Sequence, residues 1–254
     1  MTINMEKMRA KLSKLRGESN GNGNSVFWKP NEGNQDIRIV PTNDGDPLKE
    51  MWFHYNLGNN RGFLCPKRNF GDRCPVCDFA SNLWREGVEN NDAESKKLAK
   101  SLFTRQRFFS PVIVRGEEER GARVWGYGKT AYELLLGYIL DPDYGDITDI
   151  DSGTDITLTY TKPSKPGAYP QTTLKPRRHT SPLLEDPEHI PQVLDLIPDF
   201  DDIFDRTSTE DVESMLDAFL SDDESSEDRS RENVMYNKSE TSNVDAAFEE
   251  LLAR

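Results

Sequence analysis

One histidine and three cysteines stand in the pattern H-x10-C-x8-C-x2-C: His54, Cys65, Cys74 and Cys77, within HYNLGNNRGFLCPKRNFGDRCPVC. These are all 3 cysteines of the chain and one of its 3 histidines. One imidazole with three thiolates is the Cys3His donor set of a closed, tetrahedral structural zinc site. Cys74 and Cys77 enclose Pro75 and Val76, a spacing at which one tight turn points both sulfurs at a single ion. Gly58, Gly62, Gly71, Asn59, Asn60 and Asn69 fill the intervening loops with residues that tolerate turns. The pattern predicts one structural Zn2+. A redox Cys-x-x-Cys pair beside an unrelated cysteine and histidine is the competing reading. Catalysis at the metal is disfavoured: a zinc nucleobase deaminase needs an open coordination position and H-x-E followed by P-C-x-x-C. Here Tyr55 and Asn56 follow His54, and four protein ligands leave no place for a water. Spacing supports no Walker-type phosphate loop, Ser/His/Asp set or carboxylate pair. The chain is therefore read as not an enzyme, with no catalytic residue.

A second group of residues has the chemistry to hold bases and phosphates. Arg105, Arg107, Phe108 and Phe109 stand together in TRQRFFSPVIVRG, and Arg123, Trp125, Tyr127 and Lys129 alternate in the stretch that follows. Residues two apart on a strand share a face, so the last four project together while Val124 points the other way. Two cations and two aromatics make a poor core and a suitable stacking platform, where each stacked base contributes about 1–3 kcal/mol whatever its identity. The alternative is that Trp125 and Tyr127 are core and the cations rim them. The segment YTKPSKPGAYPQTTLKPRRHTS adds Tyr160, Lys162, Lys165, Tyr169, Lys175, Arg177 and Arg178 without one acidic residue. It reads as a loop able to close over a nucleic-acid backbone, or else as a solvated loop.

The elements that must position these groups are mostly short strands. VFWKP (26–30), QDIRIVP (35–41), KEMWFHYNLG (49–58), 104–116, 122–128 and 155–160 have strand character, and 104–128 reads as a hairpin. DFASNLWREG and NDAESKKLAKSLF read as helices with a break near residues 87–91, and KTAYELLLGYIL (129–140) as a helix with Tyr132, Leu135, Leu136 and Ile139 inward. The expected fold is mainly β with inserted helices, an OB-fold-like barrel carrying a Cys3His zinc subdomain. Residues 1–25 form a basic amphipathic arm and a Gly/Asn/Ser linker, 26–180 the core with its zinc loop at 54–77, and 181–254 an acidic tail.

Charge divides the chain at the same place. Residues 1–180 hold 27 Lys+Arg and 23 Asp+Glu, a net of +4, whereas 181–254 hold 5 and 22, a net of −17. A mildly basic body with an acidic arm suits a polyanion-binding domain. The tail reads as short acidic helices capped at Ser208 or Thr209, then a disordered run, then a terminal helix with Phe248, Leu251 and Leu252 on one apolar face for protein contacts. No apolar run approaches the ~18 residues of a membrane span. Thiolate ligands fit a reducing, cytoplasmic setting.

The order of these features resembles the single-stranded DNA-binding (helix-destabilising) proteins of T-even-type bacteriophages. The matching pieces are KLSKLRG, QDIRIVP, His54 with CPVC, RQRFFSPVIV, RVWGYGKTAYELL and the terminal VDAAFEELL. The resemblance spans roughly residues 1–175 and the terminus. The N-terminal helix lacks that family's compact basic-Ser-Thr cluster, and the stretch after 160 aligns loosely. The resemblance implies an OB-fold core with zinc, self-association along DNA through the N-terminal arm, and an acidic arm that contacts replication and recombination proteins. Arg38, Phe108, Phe109 and Tyr127 match DNA-contacting positions, and Arg105 and Arg107 fall in the family's basic run. The implied function is to coat and protect single-stranded DNA and destabilise duplex during viral replication, recombination and repair, in the cytoplasm of an infected bacterial host. A zinc-stabilised adaptor recruiting replication proteins through its tail is the alternative.

Overall fold

Ile37 and Ile39, Met51 and Phe53, and Ile156 and Leu158 each put one side of an alternating segment into a core, and each segment forms a strand. A computed structural model describes residues 26–57, 62–163 and 170–226. The strands are β1 (Phe27–Trp28), β2 (Gly33–Ile39), β3 (Lys49–His54), β4 (Phe63–Leu64), β5 (Arg105–Val114), β6 (Arg123–Tyr127), β7 (Thr154–Thr161) and β8 (Gln171–Thr180). The helices are α1 (Pro66–Phe70), α2 (Pro75–Glu89), α3 (Ala93–Leu102), α4 (Lys129–Leu140), α5 (Ile190–Asp195), α6 (Phe200–Ile203) and α7 (Thr209–Ser226).

The strands form one mixed, 8-stranded sheet in the order β1-β6-β5-β2-β7-β8, with β3 and β4 branching beside β5. β5 is the hub. Its first half pairs with β3 (Phe53↔Arg105 to Lys49↔Phe109), its last residues with β2 (Ile39↔Val112 to Ile37↔Val114), and its centre with β6 (Phe108↔Tyr127 to Val112↔Arg123). The β5–β6 hairpin and α4 fall where the sequence predicts them. The helical break lies at Asn90–Asp92, where Asn91 takes a left-handed φ of 52° and Asp92 caps α3 by accepting from Glu94 N at 2.9 Å. The path ends at β1 and β8, which do not pair with each other, so the sheet is open and does not close into the OB-fold-like barrel that the sequence suggests.

Both faces of this sheet are covered. On one, Ile37, Ile39, Phe108, Trp125, Tyr127, Ile156 and Leu158 pack with Ala131 and Leu135 of α4. On the other, Met51, Phe53, Phe109 and Val124 pack with Phe200 and Phe204. The acidic region is therefore not an appended arm through its described length. Leu183, Leu184, Ile190 and Val193 cover Val40 and Ile113, while Val212 and Leu216 of α7 pack on the lobe holding the cysteines. α7 begins at the expected cap, with Ser208 Oγ accepting from Asp211 N at 3.1 Å.

Arg38, expected at a DNA surface, lies inside at 0% exposure. Its Nε donates to Asp155 Oδ1 at 2.9 Å and its Nη2 to Ser181 O at 2.8 Å. Arg115 shares the same carboxylate, donating to Oδ1 at 2.8 Å and Oδ2 at 3.0 Å, and reaches the carbonyl of Leu183 at 2.8 Å. Burial lowers the Arg38 pKa from its ordinary value, with Asp155 opposing that shift. This network ties β2, β5 and β7 to the chain after β8. Asp155→Ala leaves a buried guanidinium uncompensated and is expected to cost about 3–5 kcal/mol, read as a lower urea midpoint at unchanged slope.

Candidate metal centre and nucleic-acid face

The four donor residues converge from four places: His54 at the end of β3, Cys65 just before α1, Cys74 just before α2, and Cys77 in the first turn of α2. Pro66 and Pro75 occupy the first turns of their helices, where a missing N–H is no loss. Their donor atoms all lie within 4.8 Å of one another. His54 Nε2 is 3.3 Å from Cys74 Sγ and 3.4 Å from Cys77 Sγ, and Cys65 Sγ is 3.5 Å from Cys77 Sγ. Tetrahedral zinc bonds of about 2.0–2.3 Å set ligand atoms roughly 3.4–3.8 Å apart, so the group is close to a coordination shell. All three cysteines are free, and no disulfide links the Cys-x-x-Cys pair.

The surroundings orient the donors. His54 Nδ1 lies 2.9 Å from the Leu102 carbonyl; a carbonyl only accepts, so Nδ1 carries the proton and Nε2 offers its lone pair to the sulfurs. Arg68 N–H donates to Cys65 Sγ at 3.4 Å. Without a cation the sulfurs compete for protons: hydrogen bonds from Cys74 and Cys77 draw Cys65 down to about 3, and its hydrogen bond with Cys65 pushes Cys77 up. Leu57, Val76, Ala80, Leu102, Val212 and Leu216 enclose the group. Four buried or half-buried protein donors inside an apolar shell suit a structural metal rather than a catalytic one.

Most of the residues expected to bind DNA fall into three sets. Those read as a stacking platform are core: Trp125 is 2% and Tyr127 5% exposed, with Phe108 and Phe109 on opposite faces of β5 and both buried. Strand alternation placed Trp125 and Tyr127 on one face correctly, but α4 covers that face. The Tyr132 ring stacks on Phe108 at 3.8 Å, and the Tyr127 hydroxyl shares a 2.7 Å hydrogen bond with Ser110. Cations of the second set already have carboxylate partners: Arg123 with Glu117 (2.7 Å), Lys129 at the start of α4 with Glu133 (3.5 Å), Lys162 with Glu32 (3.7 Å) and Arg177 with Asp36 (2.5 Å). Arg107 and Tyr160 are half-buried. Arg105 and Lys175 form the third set, exposed and without an ion pair among the described residues. Tyr169, Phe248, Leu251, Leu252 and the arm 1–25 lie outside the described residues.

Among the described residues, three cation–aromatic pairs escaped sequence reasoning, one of them Arg206 at 4.4 Å from the Phe70 ring centroid. Lys100 Nζ sits 5.4 Å from the Trp84 ring centroid and Arg68 sits 5.3 Å from that of Trp52. Each pair joins two separate segments of the chain, so no local spacing announces it.

Fold and site together define a mixed-sheet protein with inserted helices and a buried His/Cys3 group poised for a metal. No protein-family model matches the chain, and no curated protein matches it.

Proposed function

We propose that the chain is a sequence-independent single-stranded DNA-binding protein without catalytic activity, which coats single strands and destabilises duplex during viral DNA replication, recombination and repair. The observation that carries this reading is the strand order. β6-β5-β2-β7-β8, with α4 between β6 and β7, follows the order of the five strands of an OB-type barrel short of a closing β6–β8 pair. OB domains bind oligonucleotides on the face of their second and third strands and through the loops joining strands one to two and four to five. In this chain the second and third strands are β5 and β6, whose faces are covered, so the parts left to a strand of DNA are the β2–β5 connection that contains the metal lobe, the start of β5 at Arg105, and the acid-free β7–β8 connection. Arg105, Lys175 and Arg178 are exposed around these parts and make no ion pair among the described residues.

The metal is assigned as one structural Zn2+ on His54, Cys65, Cys74 and Cys77, a clasp for the lobe beside the OB-like strands. Self-association through residues 1–25, and docking of replication and recombination proteins on Phe248, Leu251 and Leu252, belong to the same reading. The test is a salt titration of oligo-dT binding. Log affinity should fall linearly with log salt, by about 0.7 per phosphate neutralised. A flat salt response would contradict the reading.

A further inference from the structure

We propose that Trp84, backed by Phe103 and flanked by Lys100 and Arg105, is a base-stacking station on the metal lobe, through which a bound single strand continues beyond the sheet. The inference rests on the single-strand-binding reading above. The chain has 4 tryptophans. Trp28 and Trp125 meet edge to face inside the core, with centroids 6.3 Å apart, and are shut off from any ligand. Trp84, on α2, is half-buried, with part of its ring open to solvent. The Phe103 ring supports it at 6.1 Å and 58°, and Lys100 Nζ lies 5.4 Å from its centroid. Arg105 joins the group through Nη2, which donates to the Lys100 carbonyl at 3.4 Å.

Charge separates this cluster from Arg123 and Arg177, though not from Lys175 and Arg178. Arg123 and Arg177 are held by Glu117 and Asp36. Lys100 and Arg105 are both exposed and make no ion pair among the described residues. A half-buried indole with the Lys100 ammonium over its ring, and with Arg105 one hydrogen bond away at the Lys100 carbonyl, has the parts a nucleotide requires. The ring takes the base, and the ammonium or guanidinium takes the phosphate, without selecting among bases. An indole lying against a helix pair stacks only on a base that is already unpaired, so closed duplex gains nothing from it. Arg105 is also the first residue of β5, so the station lies where the metal lobe meets the OB-like strands.

The experiment uses the full-length, metal-loaded protein and oligo-dT. Trp84→Ala should weaken binding by about 5- to 150-fold, the effect of losing one stacked base, and Trp84→Phe should keep most of the affinity. Quenching of tryptophan emission by oligo-dT should disappear in Trp84→Phe and persist in Trp52→Phe. Lys100→Gln should reduce the log–log salt slope by about 0.7. If the unmodified protein binds oligo-dT but Trp84→Ala binds equally well and Trp84→Phe keeps the full quench, the station is overturned and the single-strand reading stands. If the unmodified protein does not bind oligo-dT, both fall. Should Trp84→Ala lose metal or helix content, the quench in Trp84→Phe decides.

Discussion

Cys74→Ser is expected to abolish stoichiometric metal binding and to lower the melting temperature by at least about 5 °C. Cys74 is fully buried, starts α2 and sits 3.3 Å from His54 Nε2. A structural zinc site contributes roughly 10–16 kcal/mol of apparent binding free energy to the fold it closes. Even a quarter of that, at about 2–4 °C per kcal/mol for a chain of this size, gives the stated shift. The loss should centre on the lobe from β4 to α3, because His54 joins that lobe to β3 and its Nδ1–H holds the end of α3 at Leu102. Chelation of the metal should reproduce the effect, whereas a mild reductant should not. The readouts are elemental analysis and calorimetry on matched samples. A Cys74→Ser protein with unchanged melting, or one that retains a full equivalent of metal, would contradict the clasp.

Truncation at residue 180 is expected to leave a chain that does not fold, although a cut there removes mostly acidic sequence. The deleted part contributes Leu183, Leu184, Ile190, Val193, Phe200, Phe204, Val212 and Leu216 to three apolar clusters. Burial of each is worth about 1.5–3 kcal/mol, and together they match or exceed the roughly 5–15 kcal/mol that separates folded from unfolded domains. Phe204 is central, with ring centroids 5.1 Å from both Phe53 and Phe109. The cut also removes Ser181, whose carbonyl receives Arg38, and Thr209, whose hydroxyl donates to the Arg73 carbonyl beside Cys74 at 3.0 Å. A soluble 1–180 fragment with a cooperative transition would show that the acidic segment is dispensable to the fold.

What was legible in the sequence follows the range of the signal. The donor set was legible because thiols are rare and three of the four donors lie within a dozen residues. The β5–β6 hairpin and α4 were legible because their periodicities are local. Which strand faces are covered was not. Alternation showed that Trp125 and Tyr127 share a face, but α4 buries that face and Phe200 and Phe204 bury the opposite one. Arg38 misled for a similar reason: its carboxylate partner, Asp155, is 117 residues away. In the acidic region a net of −17 over 181–254 concealed apolar residues at helical spacing. In α7 Glu210, Asp211, Glu213 and Asp217 are exposed, while Val212 and Leu216 are buried.

The central claim, preference for unpaired DNA, is tested most directly by competition. Labelled oligo-dT is bound by the full-length, metal-loaded protein at moderate salt, then displaced with unlabelled oligo-dT or with duplex of equal length. The expected result is displacement by single strand at a concentration at least ten-fold below that needed with duplex. Equal displacement by the two, or no capture of the labelled strand, would contradict the account.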